Sequence, residues 1–308
     1  MKGLKFICSG LFLVVILAFN VSAQSHNVTI KISNQPNNEI ILGSIKGDEF
    51  TPIDTTEVVN SIIKFQLYSS NPTGVYRIIL GKTAYARVMN KPPQQLDFIY
   101  NNEDVFLETD FMDPAAKLKV IQSNENKIWY DFIAKEKILK EELQLLEKEV
   151  DYYWERKDTS TATMKANEFN QLQMDRESFI MQTVNSYGDT YAANMIKMYS
   201  EPIRDGYLSA EQRDDDYKTN YFNKLDFTDE SLINSMVYSD KVFHFLVICN
   251  DKGFTPEQRE TEYEKAIDII VTNTNQNEKV HQFILDYMVD GFELLKMDKL
   301  ITYITDNY

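Results

Sequence analysis

Cysteine is almost missing from this chain: Cys8 and Cys249 are the only two in 308 residues. Cys8 lies in an apolar run from Phe6 to Phe19 that follows Lys2 and Lys5, and Val21-Ser22-Ala23 puts small residues ahead of Gln24. A charged start, a short apolar stretch and an A-x-A-like site are the marks of a secretory signal peptide, expected over residues 1–23. Cys8 stands at the start of the apolar run rather than after it, so it is a poor lipidation site. The expected mature chain keeps one thiol, which excludes an internal disulfide, and no C-x-x-C is present for dithiol exchange. The same reading sends the protein to the periplasm or out of the cell.

Histidine, glycine and positive charge are scarce too. His26, His244 and His281 are the only histidines, and no two fall at a metal-ligand spacing such as i, i+4. The ten glycines build neither a dinucleotide-binding nor a P-loop phosphate cradle. Lys and Arg number 32 against 47 Asp and Glu, a formal net charge of −15, or about −17 once Lys2 and Lys5 leave with the leader. Nucleic-acid affinity rests on cations that neutralise phosphates, so this balance excludes that partner and an anionic membrane face. An acidic surface keeps an exported protein in solution. After Phe19 no apolar run approaches the roughly 20 residues that span a bilayer.

Few chemical candidates are left. Cys249 would need a cation or base beside it to act as a nucleophile. His244, five residues upstream, falls about 140° around a helix from it, on another face. A buried, inert thiol is the simpler reading of Cys249. His281, beside Val280 and near Ile284, reads as half-buried. Asp214-Asp215-Asp216 lacks the alternating oxygen ligands and glycine of a calcium loop and reads as a solvated acidic turn. Many of the 18 tyrosines, Tyr263 and Tyr287 among them, sit on apolar stripes and belong to a core, so they point only weakly to a binding surface. No catalytic, cofactor-binding or metal-binding residue is assigned, and no cofactor is expected.

What the chain does have is patterning. From Val28 to about Phe111 apolar residues alternate with polar ones, as in Val28, Ile30 and Ile32, Ile63, Phe65 and Leu67, and Leu96, Phe98 and Tyr100. Turn formers recur at Gln35-Pro36-Asn37-Asn38, Gly47-Asp48, Asn71-Pro72-Thr73-Gly74 and Lys91-Pro92-Pro93. Short strands at this spacing predict an antiparallel β-sandwich-like domain over residues 24–113. The period then changes. Leu139, Leu143, Leu146, Val150 and Tyr153 form one helical seam, and Phe169, Leu172, Arg176, Phe179 and Thr183 form another beyond a break at Lys157-Asp158-Thr159-Ser160. Two such helices predict a long antiparallel hairpin. Ser209 with Gln212 and Thr255-Pro256 with Gln258 open further helices. Val237, Lys241, Phe245 and Ile248 share a stripe, and the last two helices are expected over 278–289 and 292–305. The fold class is α+β, with an all-α domain over residues 114–308.

Certain segments resemble a known arrangement. Pro52-Ile53-Asp54-Thr55, Ile63-Lys64-Phe65, Gly74-Val75-Tyr76-Arg77 and Leu96-Asp97-Phe98-Ile99 resemble the small β domain of unknown function that precedes thioredoxin-like domains in exported Bacteroidetes proteins of the TlpA and ResA kind. Gln122-Ser123-Asn124-Glu125-Asn126 resembles the joint that opens their helical insert. The run from Tyr221 to Leu232, with Asp226-Phe227 at its centre, is similar to a later segment of that insert. In that family the chemistry belongs to a C-terminal thioredoxin domain carrying C-x-x-C. This sequence ends at Tyr308, about where that domain would begin, so the resemblance carries over no catalytic residue. It implies a non-catalytic accessory protein whose partner is a substrate protein or a thioredoxin-like domain. A fragment or degenerate form of a thiol–disulfide oxidoreductase, and a surface module for glycan or peptide, are the alternatives.

Overall fold

Alternation of side chains decides the first third of the molecule. Residues 24–36 and 39–308 are described by the structure, a computed structural model. The expected signal peptide over 1–23 lies outside the described residues, as do Asn37 and Asn38 of the first predicted turn. Eight strands are described: β1 (Ser25–Ser33), β2 (Glu39–Lys46), β3 (Glu49–Glu57), β4 (Ile62–Tyr68), β5 (Gly74–Gly81), β6 (Gln94–Tyr100), β7 (Val105–Asp110) and β8 (Lys119–Gln122). They form two four-stranded sheets, ordered β4-β1-β7-β8 and β3-β2-β5-β6. The inward faces of both sheets share one core, with Val28, Ile30, Ile63 and Leu107 from the first and Leu42, Ile78 and Phe98 from the second. This is the expected sandwich.

Two details depart from simple hairpin reading. The ladder between β1 and β7 is parallel, while the other described ladders are antiparallel. The reason is that the polar turn Asn101-Asn102-Glu103-Asp104 does not close a hairpin; it passes the chain from one sheet to the other. In addition, β8 pairs with β7 beyond Asp113, so the first sheet runs on to Gln122. A five-residue helix, α1 (Ala84–Val88), capped by Thr83, lies between β5 and β6.

The helical part opens with the hairpin, α2 (Asn124–Glu155) and α3 (Thr159–Ser186), broken at Lys157 where φ turns positive. Asp158 then caps α3 through the Thr161 N–H. There follow α4 (Tyr191–Lys197), α5 (Ala210–Asn220), a 3-10 turn at Glu230–Asn234, α6 (Val237–Ile248), α7 (Pro256–Thr274), α8 (Glu278–Leu294) and α9 (Asp298–Asn307). Both predicted capping boxes form, at Ser209 with Gln212 and at Thr255 with Gln258, each satisfying orphan N–H groups reciprocally. The final break falls at Leu295–Met297, not between 289 and 292: α8 runs straight through Gly291.

The two parts are joined over a shared core. Ile45, Val75 and Ile99 point away from the sandwich and into the helical cluster with Phe132, Met195 and Ile233. The β5–β6 side of this sheet is thereby covered on both faces, which is why Gly74–Tyr76 and Phe98–Tyr100 are buried without alternating, while β3 stays exposed.

Residues Ser123–Asn126 build the joint between the two parts. Asn126 is fully buried, and its side-chain amide accepts from the Ile99 N–H at 2.8 Å and donates to the Ile99 carbonyl at 2.7 Å. Glu125 accepts from Asn101 at 2.7 Å and from the Tyr191 and Ala192 N–H groups at 3.1 and 2.7 Å, at the start of α4. Ser123 donates to Glu103 at 2.6 Å while accepting from Asn126. A buried polar group is tolerated only when paired, and here the bonds to Ile99, Asn101, Glu103, Tyr191 and Ala192 tie the start of α2 to other elements.

Candidate functional site

The residues that sequence chemistry could nominate are dispersed. Cys249 caps the C-terminal end of α6 and is half-buried. Burial pushes its thiol up to about 11, with Lys218 pulling the other way, so it is protonated at neutral pH. His244 sits on the same helix, yet its Nδ1 faces the Tyr221 hydroxyl at 3.0 Å, and no hydrogen bond joins it to Cys249 among the described residues. Burial lowers the His244 pKa, against the opposing charge of Glu201. His26 is buried in β1 beside Tyr100, and His281 lies half-buried on α8. Asp214-Asp215-Asp216 is not a turn: the Ser209 capping box carries α5 through it, and Asp214 binds Arg204 at 2.6 Å. Among the described residues no group of three or more His, Cys, Asp or Glu could hold a metal ion.

Charged members of apolar stripes do converge. Arg176, 5 % exposed in the α3 seam, is held by both oxygens of Glu136 on α2, itself 3 % exposed, with Nε at 3.0 Å from each. Arg176 also reaches Glu201 at 3.1 Å, where Lys140 and Lys241 meet it at 3.5 and 3.6 Å. Burial alone would raise the Glu201 carboxyl, but Lys241, Arg176 and Lys140 together bring it down to about 2. The cluster ties α2, α3, α6 and the segment after α4 together, and each of its carboxylates is engaged by a cation. Arg176 and Lys241 were visible as misfits in their stripes; Glu136 and Glu201, the groups they answer, carried no such signal.

One feature with room for a ligand is an apolar groove of about 500 Å³ where the β2–β3 turn meets α6, α7 and α8. Its near wall is set by Gly47. That residue takes φ +59°, donates its N–H to the Ser235 carbonyl at 3.0 Å, and lies so near the Phe283 ring that an added Cβ would come within 2.9 Å. Glycine alone meets both demands. Beside it, Asp48 accepts from the Tyr287 hydroxyl at 3.0 Å, fixing the turn on α8.

The groove is apolar and only partly filled. Phe243 and Val247, one turn apart on α6, are 60 % and 49 % exposed, and Leu294 and Leu295 at the end of α8 are 86 % and 65 % exposed. Covering one such side chain fully contributes about 1.5–3 kcal/mol. Between these residues lies Gly291, in the body of α8 with ordinary helical backbone and nothing within 4 Å of where a Cβ would stand. A helical glycine costs about 1 kcal/mol relative to alanine. No turn and no crowding asks for it here. It leaves a bare strip of backbone on the groove wall. Glycine is a helix-stop signal, so the sequence misplaced the helix end there and missed the groove.

Around the mouth stand four acids, Asp48, Glu49, Asp286 and Asp290, and one cation, Lys46. Among the described residues none of the four acids has a lysine or arginine nitrogen within 4.0 Å, which leaves the mouth with an excess of negative charge. The Lys46 ammonium rests over the Phe283 ring, 5.7 Å from its centre. No helix among the described residues is long and apolar enough to cross a membrane. Comparison with family profiles, with curated proteins and with solved structures gave no match.

Proposed function

We propose that this chain is a non-catalytic accessory protein of the periplasm or extracellular space that holds a partner protein, corresponding to the N-terminal half of thioredoxin-like thiol–disulfide oxidoreductases. One observation carries the reading. Four large apolar side chains stay exposed around a preformed depression that spans both parts of the molecule. Exposed apolar surface gathered round a cavity marks an interaction site more often than scattered surface residues do. Burial keeps the half-buried thiol of Cys249 protonated, which favours partner binding over thiol chemistry as its reading.

A photo-crosslinking amino acid in place of Phe243, introduced into cells that export the protein, tests the proposal. The expected result is a discrete adduct that disappears when the same group replaces the exposed Leu145 on the hairpin. The exported product should begin at Gln24 by intact mass. Crosslinking that is equal from both positions, or substantial disulfide reductase turnover by the purified chain without added thioredoxin, would overturn the proposal.

A further inference from the structure

The groove also carries information about what it holds, and this step rests on the partner-binding reading above. Three features of the site point the same way. Its walls offer apolar contact from Phe243, Val247 and Leu295, so the occupant must bring apolar side chains. Its wall is bared at Gly291, where nothing in the fold requires glycine, which leaves space for close approach to the α8 backbone. Its mouth sets four acids, Asp48, Glu49, Asp286 and Asp290, against the single lysine Lys46, and none of the four has a lysine or arginine nitrogen within 4.0 Å among the described residues. Arg77, whose field reaches Asp48, is already held by both oxygens of Asp97 at 2.7 Å. The half-buried Glu201, by contrast, is met by Arg176, Lys140 and Lys241.

Apolar walls under an acidic mouth are complementary to an amphipathic segment with the opposite charge. We infer that the groove takes a segment of another protein in which apolar anchors are flanked by lysine or arginine. A second copy of this chain is a poor occupant, because it brings the same four acids and a net charge of −15. An anionic bilayer is repelled for the same reason.

Fluorescence anisotropy with the purified full chain tests this, using three synthetic peptides that share phenylalanine and leucine anchors and differ in the flanking residues: lysine, glutamate or serine. The lysine peptide is expected to bind, more weakly as salt rises, and the glutamate peptide is expected not to bind. Asp48→Asn with Asp290→Asn should weaken the lysine peptide by about tenfold, the scale of two partly exposed ion pairs. Gly291→Trp, which fills the groove, should abolish binding, whereas Gly291→Ala, which adds one methyl to the bared strip, should weaken it only modestly. Phe243→Ser, at an exposed position, should weaken binding as well and guards against a folding defect in the tryptophan variant. Equal, salt-independent binding of all three peptides that Gly291→Trp abolishes would overturn the charge inference and leave partner binding standing. Silence from every peptide together with no crosslink from position 243 would overturn both. Binding to phosphatidylcholine vesicles, or dimerisation, that Gly291→Trp removes would overturn the inference in favour of a membrane or a second copy.

Discussion

The amide of Asn126, third residue of α2, stands against the backbone of Ile99 as a neighbouring strand would, meeting its N–H at 2.8 Å and its carbonyl at 2.7 Å. Because β6 lies at the edge of its sheet, these two backbone groups have no strand partner on that side. One side chain closes the edge and fixes where the helical part begins. Asn126→Ala should strip both groups of their partner inside a buried joint and cost about 2–6 kcal/mol, from roughly 1–3 kcal/mol for each buried unsatisfied group. Asn126→Asp keeps an acceptor but loses the donor to the Ile99 carbonyl, and it buries a charge, so it should be no better. Urea unfolding monitored by far-UV circular dichroism measures both.

The buried pair of Arg176 and Glu136 allows a sharper experiment. Removing only the cation, as in Arg176→Met, leaves Glu136 charged and without its bidentate partner. The expected loss is about 3–5 kcal/mol. Replacing both, with Arg176→Met and Glu136→Leu together, should recover most of it, since well-packed apolar residues often match a buried ion pair. A double-mutant cycle by chemical denaturation reads the coupling.

Stability should fall in acid through Glu201. Its folded pKa of about 2 lies below the ordinary value of 4.5. A carboxyl depressed in the folded state gives stability that is fully present above the unfolded value and is lost as pH falls from about 4.5 towards 2. The shift corresponds to about 3 kcal/mol. Glu201→Gln should lower stability at neutral pH and flatten that part of the pH profile, as read by thermal unfolding across the acid range.

Cys249 should react sluggishly. With its thiol pushed up to about 11 by burial, the thiolate fraction at pH 8 is roughly two hundred times below that of a free cysteine near 8.5. The greater nucleophilicity of a more basic thiolate recovers about a factor of ten. Maleimide labelling at pH 8 should therefore run roughly twentyfold slower than with free cysteine, and it should accelerate as pH rises towards 10. Labelling at the free-cysteine rate would show an activated thiol.

Features set by neighbours in the chain were legible in the sequence. The change from period two to helical period, the break at Lys157 and the two capping boxes depend on residues three or four apart. The sandwich was legible because alternation alone puts Val28, Ile30 and Ile32 on one face. The parallel pairing of β1 with β7 was not, because it joins residues 77 apart, such as Val28 with Val105. The segment at Ser123–Asn126 stood out by resemblance, but its hydrogen bonds reach back 27 residues to Ile99 and forward 66 to Tyr191, beyond any local pattern. Gly291 misled for a physical reason: glycine disfavours helices, and only the open space beside it reveals a position where that cost is tolerated. Nor does periodicity separate Phe243 and Val247, which stay exposed, from Phe245, which does not.

The hydrogen bond from Tyr287 to Asp48 spans 239 residues of chain, and Gly47 is tied to Ser235 in the same place. The recess they shape therefore belongs to neither half of the polypeptide. It comes into being only when strand and helix segments far apart along the chain have met, so that competence to capture another molecule waits on the docking of the β part against the helices.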